Sequence, residues 1–545
     1  MNDLQRRVDD ARLRSIEFEQ EYETVTVPQM LSKAARLYGS NIAVDFFDRK
    51  ETLTYEELQA GSDRYANALR AFGLRKGDRI AVMLPNRREF PLIWFACAKL
   101  GTIFVPLNMR YTSREIAFVL NDTKASAAIV DATVWQTFAE MDTWPQDLER
   151  DRVIVVGEAP AAGVSTLVQV LEGASSLPIA VDVQPDDVVS IQYTSGTTGF
   201  PKGCILTNDY WGIVSAVQAY RLLAPYQHHL CWAPLTYADG MIHMVSAIRH
   251  GATVHMPERL SSTRFIAWLK AYQIEWCSIP ELIARQPATS FDHGVRLKQY
   301  QFGGGTWNPS SVANFRQRFP VCGNGFYGLT ETGYATLPPN DTNEMAEIGS
   351  SGLCAPFRET RLVDDDGKPV MVGQVGELWV RGKGMFKGYW NRPDANAELF
   401  NDGWFKTGDL LRCDEFGFHY FMGRKKDMIR RSNENIAARE VEAVVCEIPE
   451  IAAAAVVAVP DAERGEEVKV WVELKHGINR EAVPVQRILD HARSRLAAFK
   501  VPRYVTYSDV LPRVVSNPNK INKRELTDVE NPLANTYDSN VGHWL

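Results

Sequence analysis

Several features that mark other protein classes are missing from this sequence of 545 residues. Its eight cysteines form no Cys-x-x-Cys pair and its ten histidines no His-Glu-x-x-His, which argues against a structural zinc site. The most apolar stretch, 91–107, is interrupted by Lys99 and Gly101 and is too short to cross a bilayer. Residues 1–24 lack the apolar core of a signal peptide, and a formal charge of −7 gives no general attraction to nucleic acid. We therefore expect a soluble, cytoplasmic protein with no integral membrane segment, which binds any polyanion at a local site.

Helix and strand patterns alternate through the first part of the chain. Three stretches with helical spacing alternate with three short apolar runs, in the order 55–72, 79–84, 90–100, 103–105, 112–121 and 127–130. Alternation of this kind is typical of parallel sheets covered by helices, so it predicts an α/β fold.

The pattern changes after residue 360. Apolar runs at 360–363 and 377–380 follow each other across the turn 364–367, which predicts antiparallel strands and a β-rich subdomain. Further on, a helix, two strands and a helix are predicted as a small α+β unit at 439–446, 452–459, 468–474 and 485–498. We place a domain boundary at the charged segment near 424, which gives an N-terminal domain 1–423 and a C-terminal domain 424–545.

The segment 193–203, Tyr-Thr-Ser-Gly-Thr-Thr-Gly-Phe-Pro-Lys-Gly, is unusually rich in glycine and hydroxyl side chains. Glycines let several backbone N–H groups converge on one anion, hydroxyls add neutral donors, and Lys202 adds a positive charge. The loop follows an apolar run at 188–191, so we expect it at the end of a strand. It does not have the spacing of a Walker A loop, and a plain surface turn remains an alternative for the composition alone.

The order of residues in 191–203 closely resembles the signature phosphate loop of the adenylate-forming superfamily, which holds acyl-CoA synthetases, peptide-synthetase adenylation domains and luciferases. Further segments resemble motifs of that family in the same order, namely 302–305, 327–333, 388–393, 404–409, 423–427 and the surroundings of Lys520. The resemblance extends from about residue 25 to residue 526. It implies a large N-terminal adenylation domain, which holds ATP and the acid, and a small mobile C-terminal domain.

The resemblance also implies a role for particular residues. Tyr327 would stack on adenine, Thr330 would meet the α-phosphate, and Glu331 would hold Mg²⁺, a hard cation that prefers carboxylate and phosphate oxygens. Lys520, Glu331 and Thr198 are implied as catalytic, and Glu331 and Thr198 as metal ligands. The implied ATP-binding residues are Thr194, Ser195, Gly196, Thr197, Thr198, Lys202, Gly303, Gly304, Gly305, Tyr327, Gly328, Thr330, Asp409, Arg424 and Lys520. Asp409 would accept both ribose hydroxyls, and Lys426 would be the hinge.

One motif in this region points elsewhere. Residues 323–328 satisfy the Gly-x-Gly-x-x-Gly fingerprint of dinucleotide-binding proteins. That fingerprint requires a following helix, whereas the sequence reaches Pro338 and Pro339 within a few turns. We therefore reject a dinucleotide site here.

The acyl pocket and the coenzyme A tunnel are also implied by position in the family pattern. The acyl pocket would be lined by Trp232, Tyr237, Met241, Ile279 and Trp307. The tunnel would be lined by Tyr237, Ser432, Asn433 and Glu434. Tyr237 stands where the family commonly has histidine, Asn433 replaces a glycine, and 514–519 is longer than the usual segment before the catalytic lysine.

The resemblance implies an ATP-dependent carboxylic acid–CoA ligase. A fatty, carnitine-like or aryl acid and ATP would give acyl-AMP and pyrophosphate, and coenzyme A would then give acyl-CoA and AMP. ATP, Mg²⁺ and coenzyme A are the implied cofactors, and a homodimer is left open. Loading of a separate carrier protein is one alternative, and a non-catalytic nucleotide-binding homologue is another. The second would be marked by loss of Lys520, Glu331 or Asp409, all of which are present.

Overall fold

A computed structural model describes residues 3–141, 143–159, 163–194, 201–303, 307, 309–431, 434–514 and 517–545. Of Lys426, Arg430, 434–435 and 517–520 it describes the backbone alone. The described residues form two compact units. The first takes its residues from Met1–Thr360, Val380–Phe405 and Phe416–Phe418, and the second from Arg361–Trp379, Lys406–Glu415 and His419–Leu545. The boundary that the sequence places at 424 stays a prediction.

Helices occur in both units. The first unit contains α1 (Asp3–Glu21), α2 (Val27–Tyr38), α3 (Tyr55–Ala71), α4 (Glu89–Leu100), α5 (Ser113–Thr123), α6 (Trp135–Ala139), α7 (Leu167–Val170), α8 (Asn208–Tyr220), α9 (Ala238–Arg249), α10 (Phe265–Ala271), α11 (Glu281–Ala284), α12 (Pro309–Arg318), α13 (Asn343–Glu347) and α14 (Pro393–Leu399). The second unit contains α15 (Ala438–Val445), α16 (Val485–Arg493) and α17 (Lys523–Thr527).

Strands are also found along the whole chain. Those up to residue 354 are β1 (Ile42–Phe46), β2 (Glu51–Thr54), β3 (Arg79–Met83), β4 (Ile103–Pro106), β5 (Ala127–Asp131), β6 (Val153–Val156), β7 (Ser165–Thr166), β8 (Val188–Thr194), β9 (Lys202–Thr207), β10 (His228–Leu230), β11 (Thr253–His255), β12 (Trp276–Pro280), β13 (Gln299–Gly303), β14 (Cys322–Asn324), β15 (Tyr327–Leu329), β16 (Gly333–Leu337) and β17 (Ser350–Cys354). The later strands are β18 (Arg358–Val363), β19 (Val375–Gly382), β20 (Phe400–Asn401), β21 (Trp404–Cys413), β22 (His419–Arg424), β23 (Met428–Arg431), β24 (Glu434–Ala437), β25 (Ile451–Asp461), β26 (Gly465–Leu474), β27 (Tyr504–Ser508), β28 (Arg513–Val514), β29 (Asn517–Ile521), β30 (Tyr537–Asp538) and β31 (His543–Trp544).

Two seven-stranded sheets dominate the first unit. One has the order β7-β6-β5-β3-β4-β8-β9, and its pairs are parallel except for β8 with β9. The other has the order β14-β13-β12-β10-β11-β1-β2, and its pairs are parallel except for β1 with β2. The mixed α/β fold predicted from the alternating patterns is thereby confirmed.

The helices of this unit begin and end where local side-chain chemistry requires it. Thr54 and Glu57 form a capping box that starts α3, because each side chain accepts from the other's backbone N–H. Gly101 ends α4 with φ of +73°, a left-handed conformation that favours glycine. A buried ion pair of 2.8 Å joins Lys99 on α4 to Asp63 on α3, which compensates the lysine charge within an otherwise apolar stretch of helix.

Smaller antiparallel elements follow. In the first unit, β15, β16 and β17 are neighbours in that order, and both pairs are antiparallel. Further along the chain, β22, β21, β19 and β18 are neighbours in that order. The strand, turn and strand predicted between 360 and 380 are thus found as β18 and β19. No helix follows 323–328 within the described stretch 309–342, which agrees with the rejection of a dinucleotide site.

The C-terminal part of the second unit is a small α+β structure, as predicted. Its sheet has the order β24-β23-β26-β27-β30-β31, with β25 beside β26, and β28 and β29 form a separate hairpin. The helix predicted at 485–498 is wrong at its end, because α16 stops at Arg493. Apolar spacing continues to the buried Leu496, but the chain turns at Ser494 and then reaches Pro502, which cannot continue a helix.

Across the described residues, the helices are all too short or too polar to cross a membrane.

Candidate active site

The predicted phosphate loop connects two paired strands. β8 and β9 are antiparallel, and their last pair in register is Thr194 opposite Lys202. The Thr194 hydroxyl donates a hydrogen bond of 3.5 Å to the carbonyl oxygen of Lys202. The residues between them that were assigned to ATP, Ser195, Gly196, Thr197 and Thr198, lie outside the described residues. The strand expected before the loop is confirmed, and the loop begins where that strand ends.

Lys202 and Glu331 both contact the side chain of one tyrosine, Tyr389. The Lys202 Nζ atom is 5.2 Å from the centroid of the Tyr389 ring. The Tyr389 hydroxyl donates a hydrogen bond of 2.5 Å to Oε1 of Glu331, whose side chain is buried. Burial raises the pKa of the Cys204 thiol well above its usual range, and the nearby Glu331 carboxylate raises it further. A cation and a carboxylate, both predicted to serve ATP, are therefore brought together.

The segment 386–390 holds Tyr389 in this position. Its backbone is hydrogen-bonded to β9, from Ile205 N to Gly388 O over 3.0 Å and from Trp390 N to the Gly203 carbonyl over 2.8 Å. The N–H of Phe386 donates to the Glu331 carbonyl over 3.0 Å. One segment thus connects the lysine strand to the loop that carries Glu331. The segment 388–393 is part of the family resemblance, but no role for Tyr389 followed from it. The aromatic side chain of Tyr389 was the one feature of the sequence that could have indicated a role.

Asp122, at the end of α5, is a second residue that sequence analysis missed. Its carboxylate accepts from the Tyr193 hydroxyl over 2.6 Å and from Arg392 Nη1 over 2.8 Å. Its backbone carbonyl accepts from Trp390 Nε1 over 3.0 Å. Burial and the Asp122 carboxylate both raise the pKa of Tyr193, so this hydroxyl stays a donor. Asp122 therefore joins the end of β8 to the segment that carries Tyr389.

The loop 327–333 is built around a glycine that no other residue could replace. A Cβ atom on Gly328 would lie 2.3 Å from the carbonyl oxygen of Gly333. The N–H of Leu329 donates to the Thr332 hydroxyl over 3.1 Å, which closes the turn. Tyr327 is buried, and its N–H donates to the Thr336 hydroxyl over 3.2 Å. The tight turn leaves Thr330 partly accessible beside Glu331.

A buried arginine supports this turn. Arg358 Nε donates to the Thr332 carbonyl over 2.8 Å, and its Nη1 donates to the Phe357 carbonyl over 2.9 Å. Burial lowers the pKa of Arg358 to about 10. The guanidinium keeps its charge at neutral pH and is held mainly by backbone carbonyls. It fixes the backbone next to Glu331, and nothing in its sequence context distinguished it.

The residues proposed for the acyl pocket all belong to the first unit. Ile279 and Trp307 are buried in one hydrophobic cluster, against which Trp232 packs. The Trp307 ring stacks on Phe302 with centroids 4.5 Å apart. Trp232 Nε1 donates to the Ser278 carbonyl over 2.6 Å. Three of the five predicted lining residues are thus brought together.

The other two are at the start of α9. Tyr237 is the residue before the helix and is partly accessible, whereas Met241 is buried in its first turn. The Tyr237 hydroxyl accepts a hydrogen bond from Asn108 Nδ2. Of the nearby glycine motif, Gly303 ends β13, while Gly304 and Gly305 lie outside the described residues.

In the second unit, Asp409 and Arg424 are opposite each other on β21 and β22. The Asp409 carboxylate is buried, and its Oδ1 is 3.3 Å from Arg424 Nε. Next to them, Glu377 accepts from the Gly408 N–H over 3.2 Å and from Lys425 Nζ over 3.1 Å. The residue predicted to bind ribose and the arginine predicted near the nucleotide are therefore adjacent.

The remaining predicted residues of this unit are described in part. Lys426 lies in the short turn Lys425–Asp427, and Glu434 begins β24, both with backbone alone, while Ser432 and Asn433 lie outside the described residues. Lys520 is on β29, which pairs with β28 as a hairpin. The start of this hairpin is fixed by Glu473, which accepts from the Leu511 N–H over 2.8 Å. Of the longer segment 514–519, the residues that the structure describes, 514 and 517–519, therefore lie in this hairpin.

Among the residues that the structure describes, no group of three or more His, Cys, Asp or Glu side chains could hold a metal ion.

Two family models match the chain. The model described as AMP-binding enzyme matches residues 31–390, and the one described as AMP-binding enzyme C-terminal domain matches 440–517. A crotonobetaine/carnitine–CoA ligase of Escherichia coli is 32% identical over 485 residues, which covers 84% of this chain and 90% of that protein. A feruloyl-CoA synthase of an Amycolatopsis species is 34% identical over 482 residues, covering 87% and 93%. The solved o-succinylbenzoate CoA synthetase of Bacillus subtilis, in complex with an acyl-adenylate intermediate, has a TM-score of 0.79 at 27% identity, covering 92% and 98%.

Proposed function

The chain belongs to the AMP-binding enzyme family and is an acid–thiol ligase of the AMP-forming type, and we propose that it joins a fatty, carnitine-like or aryl acid to coenzyme A through an acyl-adenylate. The observation that carries this proposal is the arrangement of Lys202, Tyr389 and Glu331 beside the loop between β8 and β9. It combines a cation, a hydroxyl and a carboxylate where a triphosphate requires charge compensation.

The first reaction step is attack of a carboxylate oxygen on the α-phosphorus of ATP. The new bond is O–P, and the bond from the α-phosphorus to the bridging oxygen breaks with pyrophosphate as leaving group. Both reactants are anionic, so the protein has to compensate charge and align the oxygens rather than remove a proton. Lys202 and the loop residues Thr194 to Thr198 would hold the phosphates, and Lys520 would bridge carboxylate and α-phosphate.

Glu331 is suited to Mg²⁺. Its carboxylate is buried, and Oε1 accepts from a neutral hydroxyl rather than from a cation, so its negative charge remains available. Mg²⁺ in nucleotide sites takes one or two protein carboxylates and completes its shell with phosphate oxygens and water. When bound, the ion would shield the phosphate charges. Thr198 is the second protein ligand that we propose.

Further contacts to the nucleotide are proposed residue by residue. Tyr327 would stack on adenine beside Gly303, Gly304 and Gly305, and Asp409 would bind the ribose hydroxyls with Arg424 near the nucleotide. Asp409 is already partnered by Arg424, which orients the carboxylate for this purpose. We propose Lys426 as the hinge between adenylation and thioester formation.

In the second step the thiol sulfur of coenzyme A attacks the acyl carbon. The C–S bond forms, the bond from the acyl carbon to the AMP phosphate oxygen breaks, AMP leaves with the bonding electrons, and the thiol proton passes to water. We propose that pantetheine reaches this carbon along Tyr237, Ser432, Asn433 and Glu434. Tyr237 supplies an aromatic wall without a titratable imidazole, so this step should not depend on an ionisation near neutral pH at that position.

The acid would lie among Trp232, Tyr237, Met241, Ile279 and Trp307. These side chains suit a hydrocarbon or ring body, and the relatives include by name both a ligase of a quaternary-ammonium acid and a synthase for an aryl acid. We also propose the cytoplasm as the site of action, because all eight cysteines are free thiols. Light scattering would decide between a monomer and the homodimer.

Pyrophosphate release against a panel of fatty, aryl and ammonium acids, with and without coenzyme A, tests the proposal. We expect release with at least one acid and AMP formation that requires coenzyme A. No release with any acid would refute the proposal. AMP formation that needs a carrier protein instead would identify a different acceptor.

A further inference from the structure

Asp239 is an acidic residue placed between two of the proposed acyl-pocket residues. It lies in the first turn of α9, between Tyr237 and Met241. Its side chain is 47% accessible, whereas Ala238 and Met241 are buried. The carboxylate is therefore accessible, although its helix is mostly buried and its neighbours along the chain are proposed pocket residues.

The charge of Asp239 has no cationic partner among the described side chains. Its one ion-pair neighbour is His243, one turn along α9, with Nε2 3.5 Å from the Asp239 Oδ1. Burial lowers the pKa of His243, and the Arg221 guanidinium lowers it further, although Asp239 acts in the opposite direction. At neutral pH the imidazole is therefore uncharged and leaves the carboxylate uncompensated.

The field of Asp239 reaches the elements around the proposed pocket. Burial raises the pKa of both Cys231 and Tyr334, and the Asp239 carboxylate raises them further. Tyr334 lies on β16, which pairs with the strand that carries Tyr327. Cys231 also lies close to α9, because its Sγ is 3.6 Å from the Gly240 carbonyl oxygen. The segment that leads to Trp232 therefore runs beside the first turn of this helix.

Two partly accessible aromatic side chains belong to the same neighbourhood. Trp232 and Tyr237 lie on the segment that leads into α9, and both are partly accessible. Their polar atoms are already engaged, Trp232 Nε1 by the Ser278 carbonyl and the Tyr237 hydroxyl by Asn108. What they offer a ligand is therefore ring surface. Aromatic faces combined with a carboxylate are the usual surroundings of a bound ammonium group.

We propose that Asp239 is a specificity-determining residue, which selects acids that carry a cationic nitrogen, such as a quaternary ammonium, at the end away from the reacting carboxylate. The inference rests on the proposed function and narrows its range of acids. An uncompensated carboxylate attracts a cationic end, offers nothing to a hydrocarbon end and repels a second carboxylate.

A structural role is the competing explanation. Arg221 is buried and donates to the neutral side chains of Gln301 and Asn324. Gln301 in turn lies 3.5 Å from His243, so Asp239 could balance the Arg221 charge through this chain of polar groups. In that case Asp239→Asn would lower the melting temperature and leave the choice of acid unchanged.

The test compares γ-trimethylammoniobutyrate with its carbon isostere, in which carbon replaces nitrogen. The two acids differ only in charge, and kcat/KM for pyrophosphate release is measured for each. We expect the wild-type protein to prefer the ammonium acid by at least about tenfold in kcat/KM. This is the size of effect expected for a single contact between opposite charges in a partly desolvated site. Asp239→Asn should remove most of this preference through KM rather than kcat, because the distal group is bound equally in the ground and transition states.

Two control variants complete the design. Asp239→Glu retains the charge and should retain the preference, and the exposed Asp151→Asn should behave as wild type. A wild-type protein that prefers the isostere would overturn the inference. An Asp239→Asn variant whose ratio of kcat/KM values for the two acids is unchanged would overturn it as well. If the variant fails to fold, the comparison of the two acids with the wild-type protein still decides. Release with other acids but not with these would also overturn it, while leaving the proposed function intact. Release with no acid at all would instead refute the proposed function.

Discussion

The hydroxyl of Tyr389 lies 2.5 Å from Oε1 of Glu331 and donates a hydrogen bond to it. The same ring is 5.2 Å from the ammonium group of Lys202. Tyr389 therefore contacts both the cation and the carboxylate, and its hydroxyl orients the carboxylate. A group with this position should affect metal binding without itself touching the acid.

Replacing Tyr389 by phenylalanine should raise the Mg²⁺ concentration needed for half-maximal pyrophosphate release by roughly tenfold, because the Glu331 carboxylate loses its orienting donor. Initial rates over a Mg²⁺ series at saturating ATP measure this. Tyr55→Phe is the matched control, since that hydroxyl donates to the Ala252 carbonyl over 2.7 Å, in a part of the fold with no proposed catalytic role. Both variants should lose about 1 kcal/mol of unfolding free energy. An equal Mg²⁺ dependence in the two would contradict a positioning role for Tyr389.

Lys520→Ala should separate the two half-reactions. Acid-dependent pyrophosphate release is expected to fall by about two orders of magnitude or more, the usual cost of removing one electrostatic group from a transition state. Conversion of preformed acyl-adenylate to thioester by coenzyme A should continue, because the proposed role of Lys520 is confined to adenylation. Lys523→Ala, which removes the 2.7 Å ion pair with Glu442, is the nearby control. Loss of both half-reactions in Lys520→Ala would argue against a two-state hinge.

Arg358→Lys should weaken the turn that carries Glu331. A lysine cannot reproduce the separate hydrogen bonds that the guanidinium gives to the Thr332 and Phe357 carbonyls, so about 2 kcal/mol of unfolding free energy should be lost. The rate of adenylation should fall with it. Urea denaturation and pyrophosphate release measure the two effects. Arg381→Lys, whose partner Glu359 is exposed, should change either quantity little. Equal stability of the two variants would contradict the supporting role of Arg358.

Lys469 should make the stability of the second unit depend on pH. This lysine on β26 is 1% exposed and donates to the Thr536 hydroxyl over 2.8 Å, and burial lowers its pKa from 10.5 to about 8. Between these values the unfolded chain binds the proton more tightly than the folded one, so the contribution of Lys469 to stability rises with pH. Over the whole range between the two pKa values, this contribution to the free energy of unfolding grows by about 3 kcal/mol.

Urea denaturation of wild type and Lys469→Met over pH 7 to 10 isolates this contribution, because the other titrating groups cancel in the difference. The stability of wild type relative to the variant should be constant below about pH 8 and increase above it, by about 1.4 kcal/mol for each pH unit. A difference that stays flat across the range would show that Lys469 is not held in a charge-disfavouring site.

Much of the fold could be predicted from the sequence. The runs at 79–84 and 103–105 became β3 and β4, and the pattern at 55–72 became α3, each within one residue at either end. These elements have strong apolar periodicity and clear end signals, as at the Thr54 capping box. The end of α16 was missed because apolar spacing continues past the point where the helix stops.

The site was predictable only where its residues stand in compact motifs. Glu331 and Asp409 were predicted as site residues in this way, and both remain predictions. Tyr389, Asp122 and Arg358 were missed, because each acts through a contact with a residue distant in sequence. Tyr389 meets Glu331 across 58 positions, and Arg392 meets Asp122 across 270. No local sequence pattern predicts such a contact, because the contact depends on how distant parts of the chain pack in the folded protein.

The convergence of Tyr193, Trp390 and Arg392 on Asp122 also limits how this protein can be re-engineered. A chimera that exchanges the first 150 residues with a relative would separate Asp122 from these three partners and from Asn391, whose Nδ2 also donates to the Asp122 carbonyl. Unless the donor sequence supplies a carboxylate at the corresponding position, the buried Tyr193 hydroxyl and the Arg392 guanidinium would lose their acceptor together. Cross-over points for recombination should therefore be chosen so that the end of α5, β8 and residues 386–392 come from one parent.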